Sequence, residues 1–435
     1  MKSLPTPLND SRVGFHFFPD TIHFREIDIS TWLPKIQVMN ASWLIIESPQ
    51  DRAIPEAFIT TLISHNIEPI IHFNIDLTTP PSVIDIKLLL DNYAKWGVHY
   101  VMIFDRPNVK TSWAASSWAQ NDLVERFLDR FIPIATAVQQ VGLFPVFPPL
   151  EPGGDYWDTA FLKSVLESLK RRGKSDILDN LVLTAVAAFS EKGLNWGAGG
   201  PERWSGARPY LLSDSEEDQR GFCIYDWYNA ISRSTLQKVL PLILVQLGER
   251  TANPIHTENY LSIFQLLNNE TVNLPGSVEN KMDPLPDNVL ACAFHLVAQP
   301  ADNKAPFGAF YDLEDQPTPV QTAVIQWLNS RKNGEKTKND PLCENIHPLQ
   351  HYLLLPAYEW GISEWHLDVI KPFVKRHLPT IGFSLSEAAL ATKITVVGGP
   401  QSFSEESLQY LRDLGCTVER ISGDGTSIAS QLAER

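Results

Sequence analysis

The sequence predicts an α/β protein: a (β/α)8 TIM barrel followed by a small doubly wound α/β domain of the Rossmann or flavodoxin kind. Three observations predict it. Short, nearly continuous apolar segments rich in β-branched and aromatic residues alternate with longer amphipathic stretches, as in a parallel sheet covered by helices. Eight such units occupy roughly the first 330 residues, which suits a closed barrel better than an open sheet. A polar stretch then intervenes, and the same alternation restarts with shorter periods.

The expected barrel strands are Val13–Phe18, Trp43–Glu47, Pro69–Phe73, Tyr100–Asp105, Phe144–Pro148, Leu181–Ala188, Leu240–Leu247 and Leu290–Val297. Between them, Ile54–His65, Val83–Trp96, Asp122–Val141, Thr159–Arg172 and Asp226–Gln237 repeat apolar residues at three- and four-residue intervals, which buries one face of a helix. Several strands run into turn-forming or polar residues, such as Glu47-Ser48-Pro49, Asp105-Arg106-Pro107-Asn108 and Glu151-Pro152-Gly153-Gly154. In a barrel these loops gather at one mouth, where active sites sit. The sixth connection, from about Ser190 to Gln219, is long and rich in Gly, Trp and charge, as functional loops often are.

The barrel is thus expected over residues 1–331, a polar linker over 332–345 and the small domain over 346–435. In the small domain, strands are expected at His351–Leu355, Thr380–Phe383, Lys393–Val397 and Thr417–Ile421. Helices are expected at Trp365–His377, Ser386–Ala391, Glu405–Leu414 and Thr426–Glu434. The segment Tyr358–Ser363 follows its first strand, where a doubly wound sheet binds ligands, although a structural loop fits it as well.

With 43% hydrophobic and 20% charged residues in 435, the chain has an ordinary globular composition. A formal net charge of −15 leaves no basic field for phosphate, so a nucleic-acid partner is not expected. The longest apolar runs are strand-sized, so no membrane span is expected either. Met1-Lys2-Ser3-Leu4-Pro5 has no apolar signal region, which points to the cytoplasm for the chain as it stands, or to the cell surface or secretion if a leader precedes it. The four cysteines, Cys223, Cys292, Cys343 and Cys416, form no C-x-x-C pair and read as buried free thiols. No metal site or cofactor is expected, because no His or carboxylate spacing supports one. Oligomeric state stays open.

Two strand ends carry a family resemblance. Tyr100-Val101-Met102-Ile103-Phe104-Asp105-Arg106-Pro107-Asn108 resembles the fourth-strand motif Asn-Glu-Pro-Asn of the large glycoside hydrolase clan of (β/α)8 barrels. Leu242-Ile243-Leu244-Val245-Gln246-Leu247-Gly248 resembles its seventh-strand motif, which ends Glu-x-Gly. The resemblance implies Arg106 at the acid/base position and Gln246 at the nucleophile position. A guanidinium, with a reference pKa above ~12, gives up no proton at neutral pH, and an amide is too weak a nucleophile for an anomeric carbon. No catalytic residue is therefore assigned. Asp105, Glu151 and Glu249 are the fallback carboxylates for an active glycosidase with a displaced pair.

Aromatic rings stack on sugars, and the chain has 12 tryptophans, several of them after predicted strands. His16, Glu47, His72, Asn108, Trp113, Trp196 and Trp204 are the expected ligand-binding residues, with Trp196–Trp204 as a candidate mobile loop. The small domain's Ile394-Thr395-Val396-Val397-Gly398-Gly399-Pro400 and Val418-Glu419-Arg420-Ile421-Ser422-Gly423-Asp424 resemble the bacterial cell-wall-binding repeat of the second type. Gly425-Thr426-Ser427 stands where that family has Arg-Tyr, and one copy is present rather than three. Together these features imply a catalytically degenerate, glycosidase-like protein that binds carbohydrate or a cell-wall glycan. An active glycosidase and a structural or assembly scaffold are the alternatives.

Overall fold

The computed structural model describes residues 4–189, 192–213, 215–249, 256–274, 281–298, 308–338, 349–356, 364–413 and 415–433. The chain divides into two compact units, Met1–Ser330 and Arg331–Arg435.

The first unit is a (β/α)8 barrel. Its strands are β1 (Val13–His16), β2 (Trp43–Glu47), β3 (Glu68–Phe73), β4 (Tyr100–Ile103), β5 (Phe144–Val146), β6 (Leu183–Val186), β7 (Leu242–Leu247) and β8 (Val289–His295). They pair in parallel in the order β5-β4-β3-β2-β1-β8-β7-β6. The β5–β6 seam is closed by a parallel bridge between Val146 and Val182 and by the bond from Phe147 N–H to Val182 O. The outer layer contains α1 (Glu26–Val38), α2 (Glu56–Ser64), α3 (Val83–Lys95), α4 (Leu123–Gln140), α5 (Asp158–Arg171), α6 (Ile224–Leu236), α7 (Thr257–Leu267) and α8 (Pro319–Lys338). A short antiparallel pair, Val272–Asn273 with Lys281–Met282, lies between α7 and β8.

Strand alternation sorts the side chains into two cores. Outward residues join the helices in one large cluster, whereas Trp43, Ile45, Ile70, Tyr100, Met102, Val146, Val186, Ile243, Val245, Ala291 and Ala293 fill the barrel interior. Trp43 is fully buried there. Its ring packs against Tyr100, with centroids 5.4 Å apart, and its indole N–H donates to Asp10 at 2.8 Å. Two residues beyond Ile45 and Ile70 on the same inward face come Glu47 and His72. On β1, His16 follows Gly14 by the same step, and on β8 His295 follows Ala293. The interior is thus apolar at depth and polar at the strands' C-terminal ends.

The second unit is a four-stranded parallel sheet of β9 (Leu349–Leu354), β10 (Thr380–Gly382), β11 (Ala391–Val397) and β12 (Thr417–Ile421), in the order β10-β9-β11-β12. One face is covered by α9 (Glu364–His377) and α11 (Gly425–Ala433) through Leu353, Ile370, Phe373, Ile421 and Leu432. The other face packs Tyr352, Ile394 and Val396 on Leu408 and Leu411 of α10 (Glu405–Asp413). Helices on both faces make it doubly wound.

Two expectations change. The stretch expected as a linker begins inside α8, which runs on to Lys338, and residues 339–345 lie outside the described residues. The helix expected at Ser386–Ala391 is one turn, Leu385–Ala388, because Ala391 already pairs with Leu349 in the sheet. Tyr358–Ser363 and Cys343 also lie outside the described residues, whereas Cys223, Cys292 and Cys416 are buried.

Replacing Trp43 with alanine empties the largest interior side chain and is expected to destabilise the barrel by about 3–5 kcal/mol. Urea denaturation followed by circular dichroism measures it.

Candidate functional site: the barrel mouth

The ends of β4 and β7 turn sharply. Phe104, Arg106 and Gln246 all have positive φ, at 69°, 40° and 53°. Such backbone costs non-glycine residues about 1–3 kcal/mol each and is concentrated at functional positions. On β7 the turn coincides with a register shift: Leu244 faces Cys292 and Leu247 faces Phe294, so two β7 residues oppose a single β8 residue. This bulge lets Val245 join the interior core while Gln246 is aimed into the mouth.

The two turns bring Arg106 and Gln246 together. Arg106 Nη2 donates to Gln246 Oε1 at 2.6 Å. Arg106 Nε is 3.1 Å from Glu151 Oε2, an ion pair without hydrogen-bond alignment, and Nη1 lies 3.9 Å from Asp105 Oδ2. All three charged side chains are about one-quarter exposed. One guanidinium therefore gathers the amide and both neighbouring carboxylates.

Three imidazoles surround this group. The Gln246 backbone N–H donates to His16 Nε2 at 3.0 Å, so that nitrogen carries no proton. Burial holds the His16 pKa well below the usual imidazole value, and His295, His72 and Arg106 push it the same way. His16 stacks on His295, with centroids 5.2 Å apart at 18°. His72 Nε2 bonds the Phe104 carbonyl at 2.9 Å, which places the proton on that nitrogen and fixes the ring beneath the β4 turn. Glu47 completes the polar arc, with Asn74 Nδ2 3.5 Å from its Oε1. Across the barrel, Val186 of β6 is buried in the interior core and the half-buried Ala188 packs against that core.

Other expected site residues serve the loops. Asn108 is fully buried; its amide donates to the Glu151 and Tyr156 carbonyls at 2.8 and 2.9 Å and accepts from Glu151 N–H at 2.9 Å. It clasps the loop that carries Glu151 and has no atom turned to a ligand. Trp113 is buried, bonded to Pro107 O at 2.8 Å, with Arg126 and Arg130 over its ring. Trp196 donates to Asp218 at 2.9 Å beneath Lys192, and Trp204 donates to Ala198 O at 3.0 Å beside Arg203. Gly197 N–H and Gly199 N–H are bound by Glu217 and Asp226, so the Trp196–Trp204 segment is pinned rather than free. Asp218 itself is 2% exposed, and its partners hold its pKa below the usual range.

Glu249 points away. It is buried, and both of its carboxylate oxygens accept the His256 N–H at 3.1 Å while Oε1 lies 2.9 Å from His256 Nδ1, which ties it to the start of α7. Its own N–H donates to Tyr260 Oη at 3.0 Å, and that hydroxyl occupies the space a Cβ would need at Gly308. Glu249 therefore does not join Asp105 and Glu151 at the mouth. Asp158, which sequence reasoning passed over, joins two mouth loops. Fully buried, it accepts from Gly153 N–H at 2.9 Å and from Gln219 Nε2 at 2.6 Å, and burial pushes its pKa up to about 6. Its position at the first turn of a helix after a glycine-rich loop was the available signal.

No family model matches the chain, and no curated protein matches it. Among solved structures it is similar to a calcium-binding mutant of Bacteroides uniformis beta-glucuronidase 2, at 10% identity and a TM-score of 0.42, covering 72% of this chain and 34% of that one. It thus spans about a third of that protein. A GH128 (subgroup II) endo-beta-1,3-glucanase from Sorangium cellulosum is similar at 13% identity and a TM-score of 0.37, covering 67% and 93%. A mutant of Saccharomyces cerevisiae Gas2p in complex with laminaritetraose and laminaripentaose is similar at 7% identity and a TM-score of 0.44, covering 76% and 64%. The barrel assignment rests on the strand pairings alone.

Since the folded state holds His16 neutral, it does not take up the proton that the unfolded chain binds below about pH 6.5. The stability linked to this group is therefore present above that pH and is lost as pH falls, by up to about 1.4 kcal/mol per unit. His16→Gln should make the acid side of the stability–pH curve shallower by close to one proton. Urea titrations between pH 7 and 5 measure the slope; identical slopes for the two proteins would contradict the assignment.

Proposed function

We propose that the barrel is a glycosidase-like carbohydrate-binding module without hydrolytic activity. One contact carries the reading: the 2.6 Å bond between Arg106 and Gln246, the two residues at the positions where the clan resemblance expects acid/base and nucleophile. Retaining glycosidases oppose two carboxyl groups about 5–5.5 Å apart across the mouth. Here the same two strand ends meet, but through a cation and an amide. Neither supplies the proton or the electron pair that glycosidic cleavage needs.

What the mouth offers instead is recognition. Glu47, His72 and Asp105 present hydrogen-bonding groups on one side, and the half-buried Ala188 adds an apolar contact on the other. A pyranose has the matching character, with hydroxyls at its rim and C–H groups on its faces. A displaced-carboxylate glycosidase is not favoured, because Glu249 is tied to α7 and Arg106 contacts both Asp105 and Glu151.

We extend the proposal to the second unit. Its Val397-Gly398-Gly399 and Arg420–Asp424 segments end β11 and β12, where Gly398 and Gly423 have φ of 146° and 144°. Their likeness to the wall-binding repeat supports a role in holding a cell-wall glycan.

Calorimetric titration of the full chain with neutral tetrasaccharides of glucose, mannose and N-acetylglucosamine tests the barrel reading. At least one sugar should bind, and Glu47→Ala should weaken it about tenfold, as expected for loss of a charged hydrogen-bonding group. No heat with any of them, and none on a wider glycan array, would overturn it.

A further inference from the structure

We infer that Tyr210, which no motif singles out, is a stacking platform for a neutral sugar ring at the rim of the mouth. This inference rests on the carbohydrate-binding reading and adds an outer subsite to it. Among the described Phe, Tyr and Trp residues of the barrel, Tyr210 is the only exposed one, at 63% relative exposure. The other loop aromatics have their polar atoms or faces occupied, as Trp113, Trp196 and Trp204 illustrate.

Tyr210 is exposed without being loose. Its hydroxyl accepts the Trp157 backbone N–H at 2.8 Å, and its ring lies against Trp157 with centroids 5.4 Å apart at 57°. Trp157 is itself buried, with Arg220 over its ring, so the outer face of this pair belongs to Tyr210. Arg208 and Leu211 exchange N–H···O bonds of 3.1 Å in both directions, closing a tight turn around the tyrosine. Within that turn Tyr210 has φ of 65°, a conformation that costs a bulky residue. A large apolar ring, strained, tethered and left in water, is a preorganised contact surface whose ordering cost is met before a ligand arrives.

Position and chemistry narrow the ligand. Trp157 follows β5 and Tyr210 lies in the connection after β6, so both belong to the mouth end of the barrel. They stand on the β5–β6 side of the barrel, the side on which the half-buried Ala188 follows β6. Leu211, 69% exposed, extends the apolar surface beside the ring. An uncharged pyranose, which offers a C–H face to such a surface, fits it. A sugar in the centre of the mouth would then continue over the β5–β6 rim, so the ligand class is a neutral oligosaccharide rather than a single sugar.

The test is calorimetric titration of the full chain, as wild type, Tyr210→Ala and Tyr210→Phe, with the disaccharides and tetrasaccharides of glucose, mannose and N-acetylglucosamine. For a tetrasaccharide that binds the wild type, Tyr210→Ala should lose about tenfold in affinity, and Tyr210→Phe, which keeps the ring, should lose less than threefold. The loss should be larger for the tetrasaccharide than for the matching disaccharide. Thermal melts confirm that each variant is folded, and Tyr210→Leu, which keeps an apolar side chain without the ring and should lose affinity as Tyr210→Ala does, takes its place if Tyr210→Ala is not. Equal tetrasaccharide affinities for wild type and Tyr210→Ala, or an equally large loss in both variants, overturn the inference and leave the mouth reading standing. Failure of the wild type to bind any of these sugars overturns both.

Discussion

Everything at the mouth depends on how β4 and β7 end. A straight continuation of either strand would alternate its side chains between the interior and the helix layer. The bulge at Val245–Gln246 and the left-handed turns at Phe104, Arg106 and Gln246 break that alternation, at a backbone cost the surrounding contacts must offset. The compensation is visible: Arg106 N–H is taken by Pro149 O, Phe104 O by His72, and Gln246 N–H by His16. These three bonds hold the guanidinium and the amide within 2.6 Å of one another.

The same frame explains the electrostatics. Arg106 stands among Asp105, Glu151 and Gln246, so its charge is balanced locally although it lies only about one-quarter exposed. A neutral His16 suits this arrangement, because a second cation beside Arg106 would be repelled and its ring would lose the Gln246 N–H it accepts. Farther out, Asn108, Asp158 and Asp218 use buried polar atoms to lock the loops after β4, β5 and β6. Their chemistry resembles that of an active site, but their partners are backbone groups and neighbouring side chains.

Much of the fold was legible because strand and helix periods differ. Trp43–Glu47 and Thr417–Ile421 begin and end where the sequence pattern predicts, and Val83 and Glu405 open their helices where the period changes. Period-two alternation also carries His16, Glu47 and His72 inward from Gly14, Ile45 and Ile70. The pairing of Arg106 with Gln246 was not legible, since 140 residues separate them and a bulge with no glycine or proline aims the glutamine. Glu249 lies only three residues beyond Gln246 in sequence, yet the turn carries it to the start of α7. Tryptophan number misled in a similar way. Indole N–H groups seek buried acceptors, so Trp113, Trp196 and Trp204 were drawn into the loops, whereas Tyr210 kept its face in water.

The central claim is that the mouth holds sugars without cutting them. The most direct measurement incubates the full chain at high concentration with end-labelled tetrasaccharides of glucose, mannose and N-acetylglucosamine and follows chain length by chromatography over a day. The account predicts sugar that co-elutes with the protein and stays at four units. Shortened products that vanish when Glu151 or Asp105 is replaced by its amide would contradict it.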